Sequence, residues 1–400
     1  MALNPFQHEG GPTLFALEDS ACSALAARHG TPCFAYSEAT AQAQAQRLLA
    51  ALPPRVRLAY AVKANPFPEL LRTFGRAGLS FDCASEGELR RVGELGLPPG
   101  RIFFAGPGKR LEELELALAM GVRIQAEGWE DLARVDELAI APLDLNLRVH
   151  PAGGVEEANR IIGGVGPSAF GVDEERVPEI LDKAKALRHV RIRGLHVFAA
   201  SNQRDAGRLL ATHGMVLELA KRLRETHGLD LQQIDLGGGL GVPYAADQLP
   251  LDVERLGRGL AALLKAHAWF QGELILEPGR FLAAPCGVYL ARVVRIKESR
   301  GTRFAILEGG VNHLLRPLLT GEPFPVKAIG KGGRTASFTL AGPLCTSLDR
   351  LGEVQLPADL APGDLLAFGM TGAYGLSEGM THFLSHPVPP EVWVDDRAGD

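Results

Sequence analysis

The sequence predicts an α/β protein, a (β/α)8 barrel followed by an all-β domain. Three observations carry this. Short apolar, β-rich runs alternate with helical patterns from about residue 33 to about residue 280. Beyond Arg280, strands follow one another across Gly and Pro turns with little helical periodicity between them. Polar or glycine-rich segments repeatedly follow the C-terminal ends of the apolar runs, which is where barrel active sites are built.

The expected strands of the first part are, in order, 33–36, 55–62, 79–83, 101–105, 122–126, 143–149, 193–198, 233–236 and 273–276, with amphipathic helices such as 86–95, 111–120 and 206–225 between them. Sustained βα alternation indicates a parallel sheet with helical crossovers, and the number of units suits a closed barrel better than an open sheet. The second part reads as strands 288–296, 303–307, 336–340 and 365–368, and residues 395–400 as a frayed tail.

Four hundred residues with 46% hydrophobic and 22% charged content describe a soluble globular chain of about two domains. A net charge of -5 with mixed signs offers no basic stripe for nucleic acid and no polybasic patch for a membrane, so small-molecule chemistry is favoured. Cys22, Cys33, Cys83, Cys286 and Cys345 are odd in number, widely spaced and free of any CxxC pair, and read as free thiols in a reducing compartment. The first residues, Met1 to Gln7, lack a basic stretch followed by an apolar one, and no apolar run is long enough to span a bilayer. The expected location is the cytoplasm.

Lys63 ends the apolar strand 55–62, and Ala64-Asn65-Pro66 stops it with turn chemistry. A lone lysine at a strand end usually snorkels to solvent. If it is desolvated instead, the ammonium is disfavoured, and a neutral amine is what a Schiff base with an aldehyde cofactor requires. Gly237-Gly238-Gly239 follows the strand at 233–236, and successive glycines let backbone N–H groups close around an anion such as phosphate. A bland barrel turn would look the same. Glu277-Pro278-Gly279-Arg280 ends the last barrel strand with an acid suited to a protonated heterocyclic nitrogen and a guanidinium suited to a phosphate.

Taken in order, Tyr60-Ala61-Val62-Lys63-Ala64-Asn65, Phe81-Asp82-Cys83-Ala84-Ser85, Gly237-Gly238-Gly239, Glu277-Pro278-Gly279-Arg280, Gly342-Pro343-Leu344-Cys345 with Asp349, and Gly372-Ala373-Tyr374 resemble the fold-type III pyridoxal-phosphate decarboxylases, the ornithine/diaminopimelate decarboxylase family. The resemblance runs from about residue 30 to about residue 390. It implies an alanine-racemase-like barrel over 31–280, a β-barrel or sandwich domain built from 1–30 and 281–400, pyridoxal 5'-phosphate as cofactor, no metal, and a homodimer whose active sites are shared. By the same resemblance Lys63 forms the Schiff base and Glu277 pairs with the pyridine nitrogen. Gly238, Gly239, Gly279 and Arg280 bind the phosphate with Ser201, and Tyr374 lies near the phosphate and the substrate. Cys345 enters the partner's site as the acid that protonates the substrate carbon, Asp349 fixes that loop beside the substrate, and Asp82 supports the cofactor's surroundings. An acid at the pyridine nitrogen keeps it protonated, so the ring accepts an electron pair as carbon dioxide leaves. Racemases of the same fold place an arginine there, which weakens this electron sink.

Departures from the family pattern point to the substrate. The position where these decarboxylases usually stack a histidine on the cofactor ring aligns with Phe198, while His196 lies two residues earlier on the same strand face, and a register slip returns the role to His196. Ala169 stands where lysine is common. Thr346 follows Cys345 where the ornithine type carries aspartate and the diaminopimelate type glutamate for a distal ammonium, and Thr320 stands where a tyrosine is expected after Arg316-Pro317. The expected substrate is an amino acid, free or tethered to an acyl carrier protein, whose far end is an amide, a thioester or a carboxylate, with Arg316, His313, Thr346 and Asp349 as candidate contacts. The runs 372–387 and 342–346 resemble biosynthetic-cluster decarboxylases, including the glutamyl-carrier-protein type. Diaminopimelate decarboxylase is the main competing reading, and a catalytically inactive pyridoxal-phosphate-binding regulatory homologue the one from another class. Retention of Lys63, Glu277 and Cys345 together argues against the inactive homologue.

Overall fold

The computed structural model describes residues 12–153, 166–198 and 201–395. Strand β1 (Cys33–Ser37) is followed by nine strands of a parallel sheet: β2 (Val56–Ala61), β3 (Ser80–Cys83), β4 (Ile102–Phe104), β5 (Arg123–Ala126), β6 (Leu143–His150), β7 (Val172–Asp173), β8 (Val190–His196), β9 (Gln233–Asp235) and β10 (Glu273–Leu276). Eight of these pair in the order β2-β3-β4-β5-β6-β8-β9-β10, and β10 returns to β2 through Leu274↔Val56 and Leu276↔Leu58, so the sheet closes into a barrel. The two-residue β7 pairs with β6 at Val149↔Val172. Near-continuous apolar strands are what a parallel sheet buried on both faces requires, and the buried trio Ala59, Phe103 and Ile275 packs in this unit.

The second sheet contains β11 (Gly287–Ser299), β12 (Thr302–Leu307), β13 (Val326–Ala328), β14 (Thr335–Ala341), β15 (Arg350–Pro357), β16 (Leu365–Phe368) and β17 (Glu391–Val394). Strand β1 belongs here, which corrects its reading as a barrel strand. It pairs antiparallel with β11 (Cys33↔Leu290) and parallel with β17 (Phe34↔Glu391). All five of its residues are buried, so its composition matches that of a barrel strand, and its partners lie far along the chain where local periodicity cannot see them. Cys22 and Ala26 of the helix Asp19–His29 share one apolar core with Cys33, Ala35, Val288 and Leu290.

The chain divides into two compact units. One comprises Met1–Gln44, Val242–Pro250 and Arg280–Asp400, the other Ala45–Gly241 and Leu251–Gly279. Among the described residues no helix is long and apolar enough to cross a membrane. The first residues, 1–7, Ala199 and Ala200, and the tail end 396–400 lie outside the described residues.

Candidate active site

In the barrel unit the chemistry gathers at the C-terminal ends of the strands. Lys63 lies in a single 3-10 turn, Val62–Ala64, directly after β2. Asp82 is in β3 beside Ala61, His196 ends β8, Asp235 ends β9 opposite it, and Glu277 follows β10. Gln125 of β5 reaches into the same space: its Nε2 donates to Glu277 Oε1 at 3.1 Å and to Asp235 Oδ2 at 3.2 Å. His196 Nε2 is 3.4 Å from Glu277 Oε2.

Asp82, Asp235 and Glu277 are all buried. Carboxyls crowded in a desolvated space cannot all ionise, and the neighbours decide which one does. Burial and the Glu277 charge push Asp82 and Asp235 well above the usual carboxylate range. Burial pushes Glu277 up as well, but His196, Lys63 and a hydrogen bond with Asp235 outweigh it and hold Glu277 below that range. Glu277 is therefore the anion of the group. One atom each from His196, Asp235 and Glu277 lie within 4.8 Å of one another, a spacing that a cation would accept. The Gln125 amide already donates to Glu277 and Asp235 in that space.

Lys63 is exposed, the placement of a lysine that snorkels from a strand end. The strand does bury Val62 and Ala64, but the 3-10 turn points the lysine between them outward. Its Nζ lies 5.1 Å from the centre of the Phe198 ring. Phe198 also lines the glycine turn. A Cβ on Gly238 would stand 2.7 Å from the Glu277 carbonyl oxygen and 3.1 Å from Phe198 Cε2, and Gly237 has φ 70. Only glycine fits there. His196 turns to Glu277, whereas Phe198 presents its ring toward Lys63. Ser201 is half-buried at the start of the segment leading to Gln203, whose backbone bonds to Gly239 and Gly241.

In the other unit Arg280, the residue after Gly279, donates from Nη1 to Tyr244 Oη at 2.8 Å and lies 4.6 Å from the Tyr374 ring centre. Tyr374 has φ 53, the left-handed region that non-glycine residues rarely occupy and that clusters at functional sites. Desolvation works against the Arg280 charge, but Tyr244, Tyr374 and Glu378 nearby raise its pKa. Arg316 is buried and stacks 3.5 Å from the Tyr244 ring centre, and both its Nη atoms bond to Glu322. Its Nη atoms are held by Glu322 and its plane braces Tyr244 under Arg280, while its Nε is buried without a hydrogen-bond partner. His313 is buried in the same unit. Its Nδ1 meets Tyr289 Oη at 2.8 Å, its Nε2 meets Asn312 Nδ2 at 3.1 Å, and burial lowers its pKa to about 4, so both ring nitrogens are used by the fold.

Cys345 is exposed on the turn between β14 and β15. Asp349 holds that turn, its Oδ2 accepting from Leu344 N at 2.7 Å and its Oδ1 from Val311 N at 2.8 Å. It fastens the turn through one backbone N–H on each carboxylate oxygen. Thr346 Oγ1 accepts from Leu348 N at 3.2 Å. Thr320 closes its own helical turn on the Arg316 carbonyl, and Ala169 sits in the bend before Phe170, whose ring lies 4.6 Å from the Arg148 guanidinium.

Sequence reading missed Gln125, Asp235, Glu88, Arg148 and Tyr244. Glu88 accepts from Ala84 N at 2.7 Å, is pushed up by burial and feels the Lys63 charge, and Arg148 pairs with Glu127 at 2.9 Å while facing Asp82 electrostatically. Single polar residues scattered over strands, a helix and a loop carry no motif. Asp235 alone had a signal, standing at a strand end two residues before the glycine run.

The barrel region, residues 38–284, matches the family described as pyridoxal-dependent decarboxylase, pyridoxal binding domain. The chain is 32% identical to the L-glutamyl-[BtrI acyl-carrier protein] decarboxylase of Niallia circulans over 94% of this chain and 91% of that protein. It is 33% identical to the diaminopimelate decarboxylase of Zymomonas mobilis over 98% of this chain and 93% of that protein. The crystal structure of Helicobacter pylori diaminopimelate decarboxylase complexed with L-lysine superposes with a TM-score of 0.85 at 27% identity, covering 94% of each chain. The chain belongs to the pyridoxal-dependent decarboxylases, with an alanine-racemase-like barrel and β domain; it is an amino-acid carboxy-lyase whose cofactor is pyridoxal 5'-phosphate. The residues fit that group: Asp82 Oδ1 and His196 Nδ1 are buried without a hydrogen-bond partner, and the glycine turn has no room for a side chain.

Proposed function

We propose that the protein decarboxylates an amino acid whose distal end is neutral or anionic, with a glutamyl group carried on an acyl carrier protein as the leading candidate, and that it works as a homodimer in the cytoplasm. Pyridoxal phosphate, when bound, supplies an aldehyde for amines and a ring that accepts the electron pair left by carbon dioxide. Lys63 supplies the amine that holds it, and Phe198 the apolar face against which its ring rests. Gly238, Gly239, Gly279, Ser201, Arg280 and Tyr374 hold the phosphate. Glu277 keeps a negative charge at the ring nitrogen, which favours a proton there and hence decarboxylation over racemisation. Cys345 from the partner copy gives a proton to the substrate carbon.

The observation that carries the substrate reading is the turn after Cys345, where Thr346 replaces the acid that would meet a distal ammonium. The neighbouring acids of that unit are engaged: Glu322 with Arg316 and Gln248, Asp349 with backbone N–H groups. Glu378 is pushed up by burial and faces the charges of Arg280 and Arg316. A buried ammonium without a partner would cost about 3–5 kcal/mol. The carrier-linked specificity of the Niallia circulans relative supports the same reading.

Carbon dioxide release should be compared across carrier-linked glutamate, glutamate, meso-diaminopimelate, ornithine, lysine and arginine. We expect kcat/KM highest for carrier-linked glutamate. A preference for meso-diaminopimelate would shift the assignment to the diaminopimelate reading, and efficient turnover of ornithine or lysine would overturn the neutral-end argument.

A further inference from the structure

We infer that Asp235 is a positioning residue that keeps its own proton and gives it as a hydrogen bond to Glu277, so that the buried carboxyl cluster carries its negative charge on Glu277 alone. The inference rests on the reading of Glu277 as the partner of the cofactor's ring nitrogen and adds a residue that acts through it.

The geometry requires a proton between these two acids. Asp235 is 0% exposed and Glu277 4%, and their carboxyls share the NH2 group of Gln125, itself 0% exposed. Two carboxylates so deeply buried beside one another do not both ionise. Their remaining neighbours differ. Glu277 has His196 at 3.4 Å on its second oxygen, whereas Asp235 has only the neutral Gly237 N–H, at 2.9 Å on Oδ1. Because Gln125 turns its donor side to both acids, the acceptor left for an Asp235 proton is Glu277, one of whose carboxylate oxygens lies within 4.8 Å of an Asp235 oxygen. The charged and titratable groups facing Glu277 are His196 from β8, Asp235 from β9, Lys63 from the turn after β2 and Asp82 from β3, and Asp82 is faced in turn by Glu88 and Arg148. Lys63 and His196 favour the Glu277 anion, and none of these groups favours an Asp235 anion over it. The consequence concerns proton location. A donor behind Glu277 lowers its basicity, so a proton at the cofactor nitrogen stays on the nitrogen instead of passing to the carboxylate.

Infrared difference spectra of Asp235→Asn against the parent at neutral pH, with and without cofactor, test the proton directly. We expect loss of a protonated-carboxyl C=O band. Loss of a carboxylate band instead would overturn the proposal. A second measurement follows the bound cofactor's visible absorbance against pH, and its retention on dialysis, in Asp235→Ala, Asp235→Asn, Gln125→Leu and Glu277→Gln. Asp235→Ala should weaken retention about tenfold or more and move the absorbance midpoint by about one pH unit, Asp235→Asn should recover most of that loss, and Gln125→Leu should shift both in the same direction. If Glu277→Gln leaves the titration unmoved, the ring-nitrogen reading fails, and the infrared result alone judges the Asp235 proton. If Glu277→Gln moves it and Asp235→Ala does not, Asp235 is not a positioning residue.

Discussion

At the scale of the residue, ionisation in the barrel mouth is a collective property. Lys63, Glu277 and the glycines were legible as candidates because each follows a strand end and their motifs stand together in one order along the chain. Gln125 was not, and Asp235 only by its place before the glycine run, because what they do depends on strands that lie far apart in sequence. Asp82 shows the energetic side of the cluster. It is an acid whose folded pKa is raised by burial and by Glu277, so the folded state holds a proton that the unfolded chain releases above about pH 3.9. The sign follows from linkage. Below that pH the group costs nothing, and as pH rises from about 3.9 through the raised folded value, stability is lost. Asp82→Asn should therefore raise the melting temperature of the cofactor-free protein at pH 7 by a few degrees, with the gain shrinking toward pH 4. Thermal scans over that range check it, and a gain independent of pH would mean that Asp82 is ionised in the fold.

At the scale of the element, the turn between β14 and β15 shows how a loop can be rigid without secondary structure. Gly342 and Gly310 both approach the Asp349 carboxylate, where a Cβ would stand 2.4 Å and 1.9 Å from it, and that carboxylate takes the N–H groups of Val311 and Leu344. Asp349→Ala would leave two buried donors unpaired at about 1–3 kcal/mol each. We expect a loss of about 2–6 kcal/mol in denaturant unfolding, with Asp349→Asn costing less because its carbonyl still accepts one of them. Equal losses in the two variants would mean that the carboxylate is not the organising group. The Gly-Pro-Leu-Cys motif made this turn visible in the sequence, but not its fastening to Gly310 and Val311. Strand β1 failed for the same reason: an apolar pentapeptide carries no mark of which sheet will bury it, since its partners Leu290 and Glu391 are settled by tertiary pairing.

At the scale of the whole molecule, the barrel supplies Lys63 and Glu277, and the proton donor proposed for the reaction, Cys345, is exposed on the β domain. Barrel closure was readable from the alternation of strands and helices, whereas an assembly leaves no periodic trace in a single chain. The shared-site reading makes a demand that a monomeric site cannot meet. In a dimer where each site takes its lysine from one copy and its cysteine from the other, Lys63→Ala and Cys345→Ala homodimers each lack one group at both sites. A mixed dimer holds one site with both defects and one with neither. Equal mixing with full exchange should then restore decarboxylation to about a quarter of the parental rate, since half of the dimers are mixed and each has one of two sites intact. The measurement is carbon dioxide release before and after exchange, with mixed dimers counted by affinity tags on the two variants. The cofactor-retaining Cys345→Ala copy should keep its visible absorbance throughout, so a failure to restore activity cannot be blamed on lost cofactor. No recovery with mixed dimers present would show that each site draws its lysine and its acid from the same chain, or that Cys345 is not the acid.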